Sequence, residues 1–254
     1  MLRSLLVRMK QGYRTFSYPH GPAPELPDRY RGVPSCADPG QCPPACRLCE
    51  QACPTHAIRI ADGAFNVDLG ACLFCAACAG ACPKNLIRQD REYRLSASCR
   101  EDLWSPRPRP AAVVLNRRVY HVARRSLRLR QVSAGGCNAC EADTNVLSTL
   151  AWDLGRFGIQ FVASPRHADG LLVTGPVTEN MKEALLETWN AVPGPRLVIA
   201  VGACAVSGGV FSGHRETAGG VSEMLPVDLY IPGCPPHPLT ILDGLLRLTG
   251  RIGK

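Results

Sequence analysis

Cysteine spacing constrains this chain more than any other feature. Between Cys42 and Asp90 a small unit occurs twice: Cys46, Cys49, Cys53, Pro54 and Ile58 recur as Cys75, Cys78, Cys82, Pro83 and Ile87, each displaced by 29 residues. Two copies of one unit imply pseudo-two-fold symmetry. The second copy reads Cys72-x2-Cys75-x2-Cys78-x3-Cys82-Pro83. This spacing lets one loop wrap three corners of an iron–sulfur cluster with thiolates, while the fourth cysteine ligates the neighbouring cluster. Ala76, Ala77, Ala79, Gly80 and Ala81 are small enough for backbone N–H groups to approach cluster sulfides, and Pro83 turns the chain away.

The first copy is less regular. Pro43 stands where its first cysteine belongs, and Cys42 lies one residue earlier. Cys42 is the favoured substitute, because one inserted residue is easier to absorb than the seven that Cys36 would require. Cys36 stays open as the rival. The crossing rule then groups Cys42, Cys46, Cys49 and Cys82 around one cluster, and Cys53, Cys72, Cys75 and Cys78 around another.

Fourteen cysteines in 254 residues also fit a secreted disulfide framework. Arg3 and Arg8 break the apolar pieces of Met1–Lys10, which does not read as a signal peptide. A reducing compartment is expected, where cysteine clusters read as metal ligands. No stretch approaches the ~18 apolar residues of a membrane span. The net charge is +8, and eight arginines fall between Arg107 and Arg130. A solvated linker, an anionic membrane surface, an acidic subunit or nucleic acid would each suit that patch; nucleic acid is not among the partners expected.

Residues 1–18 carry Leu2, Leu5, Leu6 and Met9 at helical spacing, with Arg3, Arg8 and Lys10 mostly elsewhere, which predicts a short basic amphipathic helix. From Tyr18 to Pro44 frequent prolines predict an extended course. The run SPRPRP from Ser105 reads as a linker. The expected organisation is an α+β domain over 1–104, a linker over 105–118 and an α/β domain over 119–254. In the last, apolar runs at Ile159–Val162, Leu171–Thr174, Leu197–Val201 and Val227–Ile231 read as buried strands. Helical stretches near Glu141–Leu154, Glu179–Asn190 and Leu239–Leu248 alternate with them, the pattern of a parallel sheet with helices on its faces.

Cys137-x2-Cys140 precedes one of those helices, and Cys204 and Cys234 each follow a strand. Ligands of open parallel sheets gather beyond the carboxyl ends of the strands, so three loops can bring these four sulfurs together. On spacing alone, structural zinc competes with a third cluster there. Cys36 and Cys99 are left over and read as inert buried thiols.

These motifs together resemble two subunits of a formate hydrogenlyase-type (group 4), membrane-bound nickel–iron hydrogenase joined in one chain. GGCNACE (Gly135–Glu141), SPRHAD (Ser164–Asp169), TGPVT (Thr174–Thr178), GACAVSGG (Gly202–Gly209) and YIPGCPPHP (Tyr230–Pro238) are similar to the hydrogenase small subunit and its complex I 20 kDa relative. The flavodoxin-like fold of that family is implied for 119–254. So is a proximal 4Fe–4S cluster on Cys137, Cys140, Cys204 and Cys234, in place of zinc. The first hundred residues resemble the family's two-cluster bacterial-type ferredoxin subunit through Tyr30–Pro34, LGACLFCAAC (Leu69–Cys78) and REDLW (Arg100–Trp104). In the quinone-reducing branch the first two proximal ligands are adjacent cysteines. The two residues between Cys137 and Cys140 match the hydrogenase arrangement instead.

The resemblance implies three 4Fe–4S clusters and an electron-transfer role, with no substrate bond made or broken by this chain alone. Electrons would pass between a nickel–iron large subunit and a ferredoxin-like or formate-dehydrogenase-linked external carrier. The alternative is a subunit of a complex I-like quinone oxidoreductase, whose large partner is the homologue without nickel. Membrane-arm subunits would meet the opening helix, placing the chain peripherally on the cytoplasmic face of the inner membrane. Glu141 matches an acidic family position, either a proton relay or a residue favoured at a helix start. Arg166 and His167 match a motif that could tune the proximal cluster or simply cap a turn.

Overall fold

The repeated cysteine unit folds as a repeated backbone. The computed structural model describes residues 2–61, 63–106 and 126–252. Helix α1 (Leu2–Gln11) occupies part of the expected opening helix, and strand β1 (Pro34–Cys36) follows. Helix α2 (Leu48–Gln51), strand β2 (Ile58–Ala61) and strand β3 (Ala64–Asp68) come next, then helix α3 (Ala77–Ala81) and strand β4 (Ile87–Gln89). The offset of 29 between the two copies relates α2 to α3 and Ile58 to Ile87. It also relates two left-handed residues that turn the chain after each copy's last cysteine, His56 at φ 52° and Asn85 at φ 51°. Asparagine tolerates that region through local hydrogen bonding. Histidine adopts it here because Ala57, just beyond, is locked by a bond to Cys53 Sγ.

These pieces form two small antiparallel sheets. Strand β1 pairs with β4, aligning Cys36 with Ile87. Strands β2 and β3 pair from Ile58↔Val67, and β3 pairs with β5 (Trp104–Ser105). Asp68 closes the second sheet through a bidentate ion pair with Arg100, at 2.7 and 2.5 Å.

The second half is a five-stranded, all-parallel sheet. Its strands are β6 (Leu127–Ser133), β7 (Ile159–Phe161), β8 (Gly170–Thr174), β9 (Leu197–Val201) and β10 (Leu229–Ile231), in spatial order β10-β9-β8-β6-β7. Every residue of β8 and β9 is buried, as expected where helices cover both faces. Four of these strands coincide with the expected apolar runs to within two residues. Strand β6 does not, for its LRLRQVS alternates buried Leu127 and Leu129 with Arg128 and Arg130 inside the arginine-rich stretch. Arg128 is an ion-pair partner of Asp169 at 3.6 Å. The other six arginines of that stretch, the linker beyond Pro106 and residues 119–125 lie outside the described residues.

Helix α4 (Ala139–Val146) starts the expected helical stretch but ends early. Leu147, Ser148 and Thr149 continue as tight turns to carbonyls three residues back, and Asp153 adopts φ 46°, so the chain bends before Leu154. Helices α5 (Glu179–Ala191), α6 (Ala203–Ser207) and α7 (Pro238–Leu248) follow β8, β9 and β10. Proline at the first position suits α7, and His237 Nδ1 caps it by accepting from Leu239 N at 3.1 Å. No described helix is long and apolar enough to cross a membrane.

The two halves share one buried apolar cluster, in which Leu69, Leu95 and Leu103 join Val206, Ala205 and Tyr230. Gly70 packs so closely that a β-carbon there would lie 2.7 Å from Val206 Cγ1. Ala97 and Tyr230 exchange backbone hydrogen bonds of 3.0 and 2.8 Å, attaching the first half to the edge strand β10. From the other side, Tyr18 donates a 2.6 Å hydrogen bond to Asp243, which is 0% exposed within α7 and is paired with Arg247 at 2.7 Å. Burial and the neighbouring carboxylate push the Tyr18 phenol far above its ordinary range, so it remains a donor.

Replacing Tyr18 by Phe deprives a buried carboxylate of one partner. It is expected to destabilise the chain by about 1–3 kcal/mol, measured as a lower midpoint in chemical denaturation.

Candidate metal centres

Each copy of the repeat aims its last sulfur away from its own loop. Cys53 Sγ accepts a hydrogen bond from Ala57 N at 3.3 Å, and Cys82 Sγ accepts one from Leu86 N at 3.4 Å, the same contact displaced by 29 residues. The structure brings Cys53 together with Cys72, Cys75 and Cys78 around one recess. It brings Cys82 together with Cys42, Cys46 and Cys49 around a second. The backbone of 72–78 wraps its recess because Phe74 and Ala76 adopt φ 53° and 65°, while Phe74 N donates to Cys72 Sγ at 3.3 Å.

A third group forms beyond the carboxyl ends of the parallel strands. Cys140 has Cys204, Cys234 and Cys137 among its electrostatic neighbours. The Cys137–Cys140 pair uses the backbone of Cys75–Cys78: Asn138 at φ 69° and Ala76 at φ 65° each sit left-handed just before a helix start. Two unrelated parts of the chain thus present a Cys-x2-Cys pair in one conformation. Glycines clear the space around the sulfurs. A β-carbon at Gly202 (φ 90°) would lie 2.4 Å from Cys140 Sγ, and one at Gly209 would lie 3.0 Å from Cys204 Sγ. Gly175, where a β-carbon would come within 2.6 Å of Gly136 N, lets the loops after β6 and β8 touch.

The Cys53/Cys72/Cys75/Cys78 group adjoins both of the others. Cys75 is among the electrostatic neighbours of Cys234, linking the third group to the Cys53/Cys72/Cys75/Cys78 recess. Cys49 is among those of Cys78, linking the second to the first. Arg31 Nη1 donates to the Cys75 carbonyl at 2.8 Å, beside a cleft of ≈ 440 Å³ that Leu73, Phe74, Asp143 and Cys234 help to line.

Burial pushes these thiols up. Cys72 rises to about 12, and Cys78 and Cys204 each to about 11. Cys140, Cys49, Cys234 and Cys42 rise too, through burial first, and neighbouring charge adds to it, Glu141 and other cysteines for Cys140. Cys82 alone moves down, because Leu86 N and other amides of the following turn face its sulfur. Four such thiols ionise together only beside a compensating cation, which deprotonates coordinating sulfur outright.

The donor set fits an iron–sulfur cluster. Among the described residues no three Cys, His, Asp or Glu side chains gather closely enough for one metal ion. Gln89 Nε2, buried and without a partner among the described residues, belongs to a side chain lining the Cys53/Cys72/Cys75/Cys78 recess. A buried amide donor on a recess lined by four cysteines matches the hydrogen bonding that cluster sulfur accepts.

Glu141 is buried beside Cys140, where Ser133 Oγ and Thr174 Oγ1 both donate to its Oε1 at 2.6 Å. Burial would raise this carboxyl, yet those two hydrogen bonds outweigh it and hold the group below the usual range. Glu141 therefore ties the ends of β6 and β8 to the start of α4. Its partners, like Gln89, were invisible in the sequence, where a serine and a threonine at strand ends carry no distinctive spacing.

Arg166 and His167 are exposed in the turn that enters β8 at its amino end, whereas the cysteines lie beyond carboxyl ends. The two spare thiols depart from expectation. Cys99 is exposed at the start of the turn Arg100–Leu103, because Ala97 beside it is pinned to β10 and the chain leaves the core there. Cys36 is half-buried and lines the recess of Cys42, Cys46, Cys49 and Cys82, because β1 pairs with β4 next to it.

Residues 137–248 match the family described as NADH ubiquinone oxidoreductase, 20 Kd subunit. Formate hydrogenlyase subunit 7 of Escherichia coli (strain K12) is 44% identical over 127 residues, covering 50% of this chain and 50% of that protein. The probable membrane-bound hydrogenase subunit mbhJ of Pyrococcus furiosus is 42% identical over 123 residues, covering 48% of this chain and 74% of that one. An NADH-quinone oxidoreductase subunit of Geotalea uraniireducens is 45% identical over 119 residues, covering 47% of this chain and 69% of that one. The chain thus spans half the length of the first of these relatives and more than two thirds of the other two. With that coverage, and with the four cysteines of the third group all inside the matched residues, the chain belongs to the 20 Kd subunit family of NADH ubiquinone oxidoreductase, a family of oxidoreductase-complex subunits.

Proposed function

We propose that this chain is an electron-transfer subunit carrying three 4Fe–4S clusters in series. Cys137, Cys140, Cys204 and Cys234 hold the first in the series, Cys53, Cys72, Cys75 and Cys78 the second, and Cys42, Cys46, Cys49 and Cys82 the third. The observation that carries this reading is the gathering of twelve cysteines from separated loops into three four-sulfur groups. Bound clusters would supply one-electron redox chemistry. The chain itself positions the sulfurs, excludes water from Cys72, Cys78 and Cys49, and sets potentials through backbone and Gln89 donors.

The organisation we propose is a two-cluster ferredoxin-like domain over 1–104, a linker over 105–118 and a 20 kDa-type domain over 119–254. Its partners are a nickel–iron large subunit, membrane-arm subunits and a ferredoxin-like or formate-dehydrogenase-linked carrier. Two relatives bearing hydrogenase and formate hydrogenlyase names support that assignment, as does the spaced Cys137–Cys140 pair, whose left-handed Asn138 separates the two sulfurs. Helix α1, with Leu5, Leu6 and Met9 exposed beside Arg8 and Lys10, suits contact with a membrane arm and a peripheral position on the cytoplasmic face of the inner membrane. The likeness to the NADH-quinone oxidoreductase relative favours a second reading, in which the large partner is a nickel-free homologue and the electrons reach quinone. Hydrogen-dependent dye reduction by the purified complex separates the two, since a nickel-free complex reducing only quinone removes the first.

Anaerobically purified chain is expected to contain about twelve iron and twelve sulfide, with brown absorbance and cubane signals in paramagnetic resonance after reduction; colourless, zinc-containing protein sinks the proposal. Gly202→Ala drives a β-carbon into Cys140 Sγ, and iron analysis should show a loss of about four iron with the other two cluster signals intact. Gln89→Leu removes the amide donor proposed to stabilise the reduced cluster, so redox titration should find the second cluster's potential more negative.

A further inference from the structure

The recess assigned to the Cys42 cluster contains a fifth sulfur. Cys36 lines it together with Cys42, Cys46, Cys49 and Cys82. The turn Pro39–Gln41, capped by Asp38 accepting from Gly40 N at 3.1 Å, folds the chain back so that residues six apart in sequence share one pocket. The neighbours acting on Cys42 are Cys46 and then Cys36, ahead of Cys82.

The two rival thiols are held very differently. Cys36 sits on a strand, aligned with Ile87, and Ala37 N donates to the Leu86 carbonyl at 2.9 Å. Leu86 N in turn donates to Cys82 Sγ, so Cys36 is anchored to the backbone segment that fixes an assigned ligand. Cys42 hangs at the end of the turn, its N–H bonded only to Pro39 O at 3.1 Å and its loop tied down by Lys84 Nζ on the Gln41 carbonyl. The irregular copy of the repeat thus offers two candidates for its fourth position, one on a loop and one on a ladder.

We propose that Cys36 is a reserve ligand of this centre, a thiol that stays free while Cys42 is bound and takes the fourth position when Cys42 is lost. The proposal rests on the three-cluster reading above. Ligand exchange here needs no oxidant: one thiolate leaves iron and takes up a proton as the other gives its proton up and binds. A centre at an irregular motif thereby keeps four thiolates through damage or alkylation of its exposed loop.

The test compares the full-length parent chain with Cys42→Ala, Cys36→Ala and the double variant, all prepared anaerobically. It reads iron content, paramagnetic resonance and protection from alkylation by iodoacetamide at each cysteine. Exposed Cys99 serves as the labelled reference. Parent chain should leave Cys36 labelled and Cys42 protected. Cys42→Ala should retain about twelve iron, with Cys36 newly protected and the signal of that one cluster shifted. Cys36→Ala should keep all its iron, and the double variant should lose three to four iron while the remaining signals report an intact fold.

A Cys42→Ala chain that falls to about eight iron, or shows a three-iron signal, with Cys36 still labelled, overturns the proposal. So does parent protein in which Cys36 is protected and Cys42 labelled, which reverses the roles. Parent protein without iron at the Cys46/Cys49/Cys82 recess defeats the three-cluster reading instead, and is recognised before any variant is made.

Discussion

Sulfur atoms resist being gathered. Each buried thiol in this chain prefers to keep its proton, and each neighbouring thiolate makes the next one harder to form. The fold therefore commits a good deal of backbone strain and empty space to a task that apolar packing would never select. Left-handed residues sit before two helices, glycines stand where a β-carbon would strike sulfur, and an amide nitrogen is buried without a protein partner among the described residues. Outside these positions the chain follows ordinary rules, with buried parallel strands, capped helices and a paired buried carboxylate.

Much of this was legible beforehand. The 29-residue offset in the cysteines is the same offset that relates His56 to Asn85 and the two amide–sulfur bonds, because a repeated ligand spacing demands a repeated backbone. The runs of β8 and β9 announced themselves as apolar segments, and Gly175, Gly202 and Gly233 carry positive φ where the chain leaves the sheet. Strand β6 was hidden because its polar positions are arginines in a basic stretch. Composition there masked a period-two pattern. Helix α4 was overestimated because apolar spacing continues past Val146 while the hydrogen bonding does not.

The site divides in the same way. Groupings that follow from loop spacing were readable, whereas partners brought in by tertiary approach were not. Ser133 and Thr174 meet on Glu141 only because β6 and β8 are adjacent. Cys36 reaches the Cys42/Cys46/Cys49/Cys82 recess because β1 lies against β4, a pairing no local motif announces. Arg166 and His167 illustrate the converse, a recognisable motif on the amino side of its strand.

In the proposed relay, the clasp between Tyr18 and Asp243 and the Ala97–Tyr230 bridge set the spacing of one electron-transfer step. Tunnelling rates decay exponentially with distance, so the step between the Cys75 and Cys234 groups depends on how firmly the two halves are seated. That seating comes from packed side chains and hydrogen bonds on opposite flanks. A substitution that loosens either flank would therefore slow that step of the proposed relay without touching a single sulfur.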